Sequence, residues 1–204
     1  MPIIESLSNL LPHGGELYYF KSAFNEQESQ LIFDDLINNV SWKQEPIKMF
    51  GKSIMQPRLT ALYGNDGMSY GYSGIRMPAI IWTPTLKLVK DRVEHLTQSS
   101  YNVSLLNRYR DQNDSMGWHR DNEKELGRQP VIASVSFGAT RAFQIRPYKF
   151  KEPPRTLYLD NGSILLMKGD MQTNWEHQLP KTGVDVGTRI NITFRCILDA
   201  NLSF

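Results

Sequence analysis

The sequence predicts a single α+β domain, with two amphipathic helices preceding a largely antiparallel double-sheet jelly roll. Three observations lead there. Helical periodicity is confined to residues 26–40 and 84–97; seven short strand-forming runs follow residue 101; turn residues, rather than further helices, separate those runs. A length of 204 residues is most simply one domain and is enough to bury a core.

Residues 1–16 carry Pro2, Gly14 and Gly15 with little periodicity and read as an extended N-terminal arm; residues 17–204 form the domain. Leu17–Phe20 is a short strand. Asn25 and Glu28 have the spacing of a capping box, and Leu31, Ile32, Leu36, Ile37 and Val40 follow at helical spacing, so a helix covers 26–40. Between 41 and 80 the chain is interrupted by Pro46, Gly51, Pro57, Gly64, Gly67, Gly71, Gly74 and Pro78, yet holds Trp42, Phe50, Tyr63, Tyr70 and Tyr72. So long a punctuated stretch in a compact domain points to function rather than filler. Thr83 as cap and Pro84 in the first turn open a second helix over 84–97, with Leu86, Val89, Val93 and Leu96 on one face. Strands are expected at 102–109, 131–137, 141–146, 155–160, 163–168, 174–179 and 188–197. A cupin-like jelly roll accommodates them, and its mouth commonly holds a metal or ligand.

Composition narrows the function classes. Hydrophobic residues are 40% and charged ones 22%, with a net charge of +2 and a pI near 8.6, so a nucleic-acid partner has to be held by a local basic patch. Cys196 is the single cysteine, which excludes an internal disulfide and fits a reducing compartment. With no signal-peptide pattern and no apolar run of membrane-spanning length, the expectation is an intracellular protein: cytoplasmic in a prokaryote, nuclear in a eukaryote.

The chemistry-bearing residues begin with His119-Arg-Asp121. Alternate side chains of an extended segment share a face, so His119 and Asp121 can reach one point. A second imidazole from His177 would complete two nitrogens and one carboxylate, the facial triad of non-haem Fe(II) oxygenases. In Arg189-Ile-Asn-Ile-Thr-Phe-Arg195 the apolar Ile190, Ile192 and Phe194 oppose Arg189, Asn191, Thr193 and Arg195. The two arginine Cα atoms lie about 20 Å apart along a strand. Two inward-leaning guanidinium arms and a five-carbon dicarboxylate cover that span, and arginine binds carboxylates bidentately. A solvated strand face is the other reading of the same pattern. Asn107 and Tyr109 supply an amide and a phenol on one face just upstream.

In this order, Asn107-x-Tyr109, His119-x-Asp121, His177 and Arg189-x5-Arg195 resemble the AlkB family of Fe(II)/2-oxoglutarate dioxygenases. The resemblance runs from about Ile47 to Leu198. It is strongest with the eukaryotic-type DNA and RNA repair homologues, through Tyr70–Gly74, Leu106–Tyr109, Ile132–Gly138 and Asn191–Arg195. It implies a double-stranded β-helix core with a nucleotide-recognition lid over 41–80. Fe(II) would sit on His119, Asp121 and His177, the catalytic centre. Arg189 would clamp the distal carboxylate of 2-oxoglutarate, with Arg195, Asn107 and Tyr109 on its remaining oxygens. The implied reaction consumes O2, yields succinate and hydroxylates an N-methyl carbon; formaldehyde then leaves the restored base. 1-Methyladenine and 3-methylcytosine, flipped out of DNA or RNA, are the implied substrates.

These bases are cationic, and aromatic faces attract cations. The resemblance therefore implies that Tyr72 sandwiches the base against His119, Tyr70 closes the side of the pocket and Glu123 meets an exocyclic amine. Met49-Phe50-Gly51 aligns with a hairpin that inserts an aromatic into the gap left by a flipped base, placing Phe50 as a wedge and Arg58 close to the duplex. Asn122 stands where the nearest relatives usually carry aspartate, which bears on lesion preference. Lys43, Lys48, Lys52, Arg58, Arg76 and Arg110 are the candidate phosphate-binding rim. The partner is then duplex or single-stranded nucleic acid and the protein a monomer with no membrane partner. Two alternatives use less of the sequence: a 2-oxoglutarate dioxygenase of proteins or small molecules, and a nucleic-acid-binding module without catalysis.

Overall fold

The computed structural model describes residues 7–49, 52–72 and 75–198. In chain order the elements are β1 (Glu16–Phe20), α1 (Glu26–Asn39), β2 (Pro46–Met49), β3 (Lys52–Met55), β4 (Leu59–Gly64), β5 (Ser69–Tyr72), β6 (Ile75–Pro78), β7 (Ile80–Ile81), α2 (Pro84–Thr97), β8 (Val103–Tyr109), β9 (Met116–His119), β10 (Ile132–Gly138), β11 (Arg141–Pro147), β12 (Arg155–Leu159), β13 (Ser163–Lys168), the one-turn α3 (Met171–Asn174), β14 (Trp175–Leu179) and β15 (Arg189–Arg195).

Both long helices begin where their caps require. Asn25 Oδ1 accepts the Glu28 N–H while the Glu28 carboxylate accepts the Asn25 N–H, a complete capping box. Thr83 Oγ1 accepts the Leu86 N–H, and Pro84, which has no N–H to lose, occupies the first turn. Ile32 and Leu36 of α1 and Leu86, Val89, Val93 and Leu96 of α2 are buried, as the helical spacing predicts. Arg92 of α2 ties the helices together by donating to Ala23 O at 2.9 Å and to Glu28 Oε1 at 3.0 Å.

A seven-stranded sheet runs in the order β1-β13-β10-β15-β8-β4-β7 and a four-stranded sheet in the order β12-β11-β14-β9. The pairings are antiparallel except β4 with β7. Strand alternation divides the large sheet into two faces. Ala133, Val135, Phe137, Ile164, Leu166, Ile190, Ile192 and Phe194 face the helices. The intervening Ile132, Leu165 and Met167 join Phe143, Ile145, Leu159 and Trp175 in a core between the sheets. At the open end of that inter-sheet space the inward residues become polar, and there the site lies.

The seven strands expected after residue 101 are present, 163–168 with the expected bounds and the others with ends shifted by at most two residues. The 41–80 stretch divides into three parts: the hairpin β2–β3, the strand β4 paired with β8 inside the large sheet, and the hairpin β5–β6. Leu62 and Tyr63 of β4 are buried, so this part belongs to the core. Strand β9, which delivers His119, is too short and glycine-interrupted to give a strand signal of its own. Residues 7–15 are docked rather than extended away. Trp175 Nε1 donates to His13 O, Asn174 Nδ2 donates to Gly14 O, and Asn9 Oδ1 accepts from Leu11 N and Leu17 N. Gly15, at φ +150°, passes so near α3 that a Cβ there would lie 2.7 Å from Met171 Cα.

Candidate active site

Two antiparallel neighbours of the small sheet bring the candidate ligands together. His119 at the end of β9 lies opposite His177 of β14 in register, and their rings are 4.2 Å apart between centroids. Asp121 follows two residues after His119, its Oδ1 3.8 Å from His119 Nε2. One donor atom from each of His119, Asp121 and His177 falls within 4.8 Å of the others. Among the described residues this is the cluster of histidines and acids spaced to hold a metal ion.

The protonation states suit a metal. Burial and the neighbouring His119 push the His177 imidazole down to about 3, so it is neutral and has a lone pair available at neutral pH. Burial likewise lowers His119, and the charges of Arg58 and Arg195 add to this against the pull of Asp121. Burial alone would raise the Asp121 carboxyl, but the Arg195 charge leads the effects, its hydrogen bond among them, that outweigh it and hold the group well below the usual carboxylate range. His177 Nδ1 is buried without a hydrogen-bond partner. Two neutral imidazoles and an ionised carboxylate are a donor set that Fe(II) accepts.

Around this cluster a pocket is lined by residues of both sheets, including Arg58, Tyr70, Asn107, Tyr109, Asn191 and Arg189. The polar face of β15 turns inward: Arg189, Asn191, Thr193 and Arg195 are all buried, so the solvated-face reading is excluded. Arg189 donates to Ser136 Oγ at 2.9 Å, its Nε is buried without a partner, and no carboxylate among the described residues pairs with it. Burial lowers Arg189 to about 10, which still leaves it a cation. Arg195 donates from Nη2 to Asp121 Oδ2 at 2.6 Å, while its Nε and Nη1 are buried and unpartnered. A buried cation with unused donors fits an exogenous carboxylate, and a 2-oxoglutarate carboxylate meets that need.

The remaining expected residues divide by position. Asn107 and Tyr109 reach the pocket from β8, but both ends of the Asn107 amide are engaged, with Arg58 Nε donating to it at 2.7 Å and Asn191 opposite at 3.4 Å. Arg58 is the clearest relocation. It is 3% exposed and lines the pocket, so it is not a rim cation on a duplex; β4 runs through the large sheet and points it at Asn107. Tyr70 is buried with the Arg195 guanidinium 5.0 Å from its ring centre, and Glu123 lines the same wall. Burial, then the Asp121 charge, raises the Glu123 carboxyl. Asn122 is exposed. Phe50 and the side chains of Tyr72, Lys48 and Lys52 lie outside the described residues. Lys43 is exposed, whereas Arg76 pairs with Glu125 and Arg110 with Asp114.

Several residues in and behind the pocket escaped the sequence reading. Ser134 and Ser136 of β10 hold Asn191 and Arg189, and their alternation with Ala133, Val135 and Phe137 carried the same signal that revealed β15. Phe143 stacks on His177 with centroids 5.2 Å apart. Gln172 of α3 is buried and its Oε1 accepts the Asp121 N–H at 2.9 Å, a contact across 51 residues with no local signature.

The profile of the 2OG-Fe(II) oxygenase superfamily matches residues 16–195. The DNA oxidative demethylase ALKBH2 of Mus musculus is 40% identical over 185 residues, covering 86% of this chain and 77% of that protein. The chain belongs to the AlkB family of 2OG-Fe(II) oxygenases. Its Arabidopsis thaliana relative, also a DNA oxidative demethylase ALKBH2, is 36% identical over 214 residues, covering 92% of this chain and 68% of that one. The alpha-ketoglutarate-dependent dioxygenase alkB homolog 3 of Bos taurus is 40% identical over 183 residues, 84% of this chain. The AlkB chain described here spans 62% of that relative's length. The solved structure of OsALKBH1 superposes with a TM-score of 0.65 at 17% identity over 91% of this chain and 99% of that one, which establishes the shared jelly-roll fold. No helix among the described residues is long and apolar enough to cross a membrane.

Proposed function

We propose that this protein is an Fe(II)/2-oxoglutarate-dependent dioxygenase that removes methyl groups from alkylated bases in nucleic acid, with 1-methyladenine and 3-methylcytosine in DNA as first candidates and RNA as a second. The observation that carries the reading is the conjunction of a neutral-imidazole, ionised-carboxylate triad with two buried arginines that each keep an unpartnered donor, Nε of Arg189 and Nε and Nη1 of Arg195. The similarity to proteins named DNA oxidative demethylase supports the substrate class.

His119, Asp121 and His177 would hold the iron. Arg189 would bind the distal carboxylate of 2-oxoglutarate, and the free Nε and Nη1 of Arg195 would take the other end. Bound iron with 2-oxoglutarate and O2 supplies the oxidising power that hydroxylates an N-methyl carbon, with succinate, carbon dioxide and formaldehyde as products. Asn107 serves this site by orienting Arg58, and Tyr109 packs beneath Arg189, 5.4 Å from the guanidinium carbon. Tyr70 and Glu123 would form the wall against which a flipped base stacks, with Tyr72 and Asn122 at its mouth and Phe50 filling the stack it leaves. Lys43 remains a phosphate contact, and the protein acts as a monomer in a reducing intracellular compartment, in keeping with its exposed, unpaired Cys196. The 41–80 lid of the proposal is its two hairpins rather than the whole stretch.

The test is to incubate the protein with Fe(II), 2-oxoglutarate, ascorbate and oligonucleotides bearing either base, following base restoration and succinate release. Restoration of the base is expected; succinate without restoration would remove the substrate assignment. Asp121→Ala should abolish both signals. Phe50→Ala should slow repair of duplexes more than of single strands, and equal losses would remove the wedge.

A further inference from the structure

Glu125 sits in the short turn after the metal segment, four residues beyond Asp121. Its carboxylate bridges the two strands of the β5–β6 hairpin: Oε1 accepts the Gly71 N–H at 2.7 Å, and Oε2 accepts from Arg76 Nη2 at 3.2 Å. Gly71 and Arg76 are cross-strand partners in that hairpin, so one side chain holds a single rung from both sides. The turn that presents Glu125 is itself held by main-chain bonds, Leu126 N to Glu123 O, Gly127 N to Lys124 O and Leu198 N to Glu125 O. It is therefore a fixed post independent of the carboxylate. The residue before Gly71 is Tyr70, which is buried against Arg195 and lines the pocket wall. Side chains and amides alternate along a strand, so the hairpin turns Tyr70 into the site while it offers the Gly71 amide to Glu125.

We infer that Glu125 is a positioning residue that latches the β5–β6 hairpin onto the metal-binding segment and so sets the wall of the substrate pocket. The inference rests on the proposed reading of that pocket as a base-binding site. A carboxylate-to-amide bond is the strong half of the latch, because one partner is ionised. The Arg76 contact is the weak half, since its side chain is 65% exposed and water and salt screen it. Among the described residues Tyr70 and Met77 anchor the hairpin by packing into the inter-sheet core, and Glu125 adds a polar tie to the rung beside them; an isolated two-stranded hairpin is marginal in water.

The experiment compares Glu125→Ala, Glu125→Gln and Arg76→Met with the unaltered protein. The Gly71 amide is followed by NMR hydrogen exchange, and KM and kcat are measured on a 1-methyladenine oligonucleotide beside KM for 2-oxoglutarate. For Glu125→Ala, Gly71 should exchange about tenfold faster or more, and KM for the oligonucleotide should rise about fivefold to tenfold with KM for 2-oxoglutarate little moved. Glu125→Gln, whose amide oxygen still accepts from Gly71, should recover most of the protection, and Arg76→Met should change exchange less than twofold. Unaltered Gly71 exchange in Glu125→Ala would overturn the latch, as would a parallel rise in both KM values. If the unaltered protein repairs no methylated oligonucleotide, the base-repair reading fails while the exchange measurement still decides the latch.

Discussion

Arg195 Nη2 lies 2.6 Å from Asp121 Oδ2, with both side chains buried and 74 residues apart in the chain. The pair joins the last strand of the large sheet to a candidate metal ligand beside the small one. The ligand thus keeps its ionised form at the cost of one guanidinium nitrogen, while two others stay free. Removing one partner of a buried pair leaves an uncompensated charge and costs about 3–5 kcal/mol. Arg195→Met should therefore lower the midpoint of thermal unfolding of the metal-free protein by about 10 °C for a domain of this size. Added Mn(II), which offers Asp121 a new counter-charge, should recover part of the loss. A melting series with and without the ion checks both.

Gln172→Leu keeps the size of the side chain and removes the acceptor of the Asp121 N–H. Groups that orient metal ligands typically contribute about 10–100-fold in affinity. The expected outcome is at least a tenfold weaker Co(II) or Mn(II) affinity, read by titration without substrate, in a protein that still melts cooperatively. Undiminished affinity would show that Asp121 is held by Arg195 and the strand end alone.

Asp114 gives a pH signature outside the site. It accepts three bonds from Arg110, from the main-chain N–H and from Nε and Nη2, at 2.8–2.9 Å. Burial pushes its carboxyl up, but these bonds and the Arg110 charge more than reverse that and leave it depressed. A depressed folded-state value means the stabilisation is complete above the unfolded value of about 3.9 and disappears as pH falls through the folded one. Asp114→Asn should cost about 1–2 kcal/mol at pH 7, discounted because Arg110 is partly exposed. In urea titrations from pH 7 to pH 2.5, the gap to the unaltered protein should close only below about pH 4.

The α1 cap is a local device and should behave as one. Asn25→Ala removes the acceptor of the Glu28 N–H and breaks the capping box, at a cost of about 0.5–2 kcal/mol. Urea unfolding should show that loss, with metal affinity and KM for 2-oxoglutarate untouched, since α1 packs on the face of the large sheet opposite the pocket.

What could be read from the residues alone was whatever depends on local periodicity. Asn25 and Thr83 marked helix starts because caps act within one turn. The alternation in β15 separated Ile190, Ile192 and Phe194 from Arg189, Asn191, Thr193 and Arg195 because a strand has a period of two. The order of Asn107, Tyr109, His119, Asp121, His177 and the two arginines carried the resemblance to the AlkB family, because an ordered set of residue types survives whatever lies between them, and the match over residues 16–195 agrees with it.

The tertiary structure alone decided where such groups meet. Arg58 looked like a surface cation after a proline, yet β4 lies inside the large sheet and carries it to Asn107. Gln172 reaches Asp121 and Glu125 reaches Gly71 and Arg76 across 49 to 54 residues, where no sequence period operates. Pairing of β9 with β14 sets His119 opposite His177, although β9 has no strand signal of its own. Local patterning determines which face of an element is apolar; strand order determines which polar faces converge. The site lies where the polar faces of the two sheets come together.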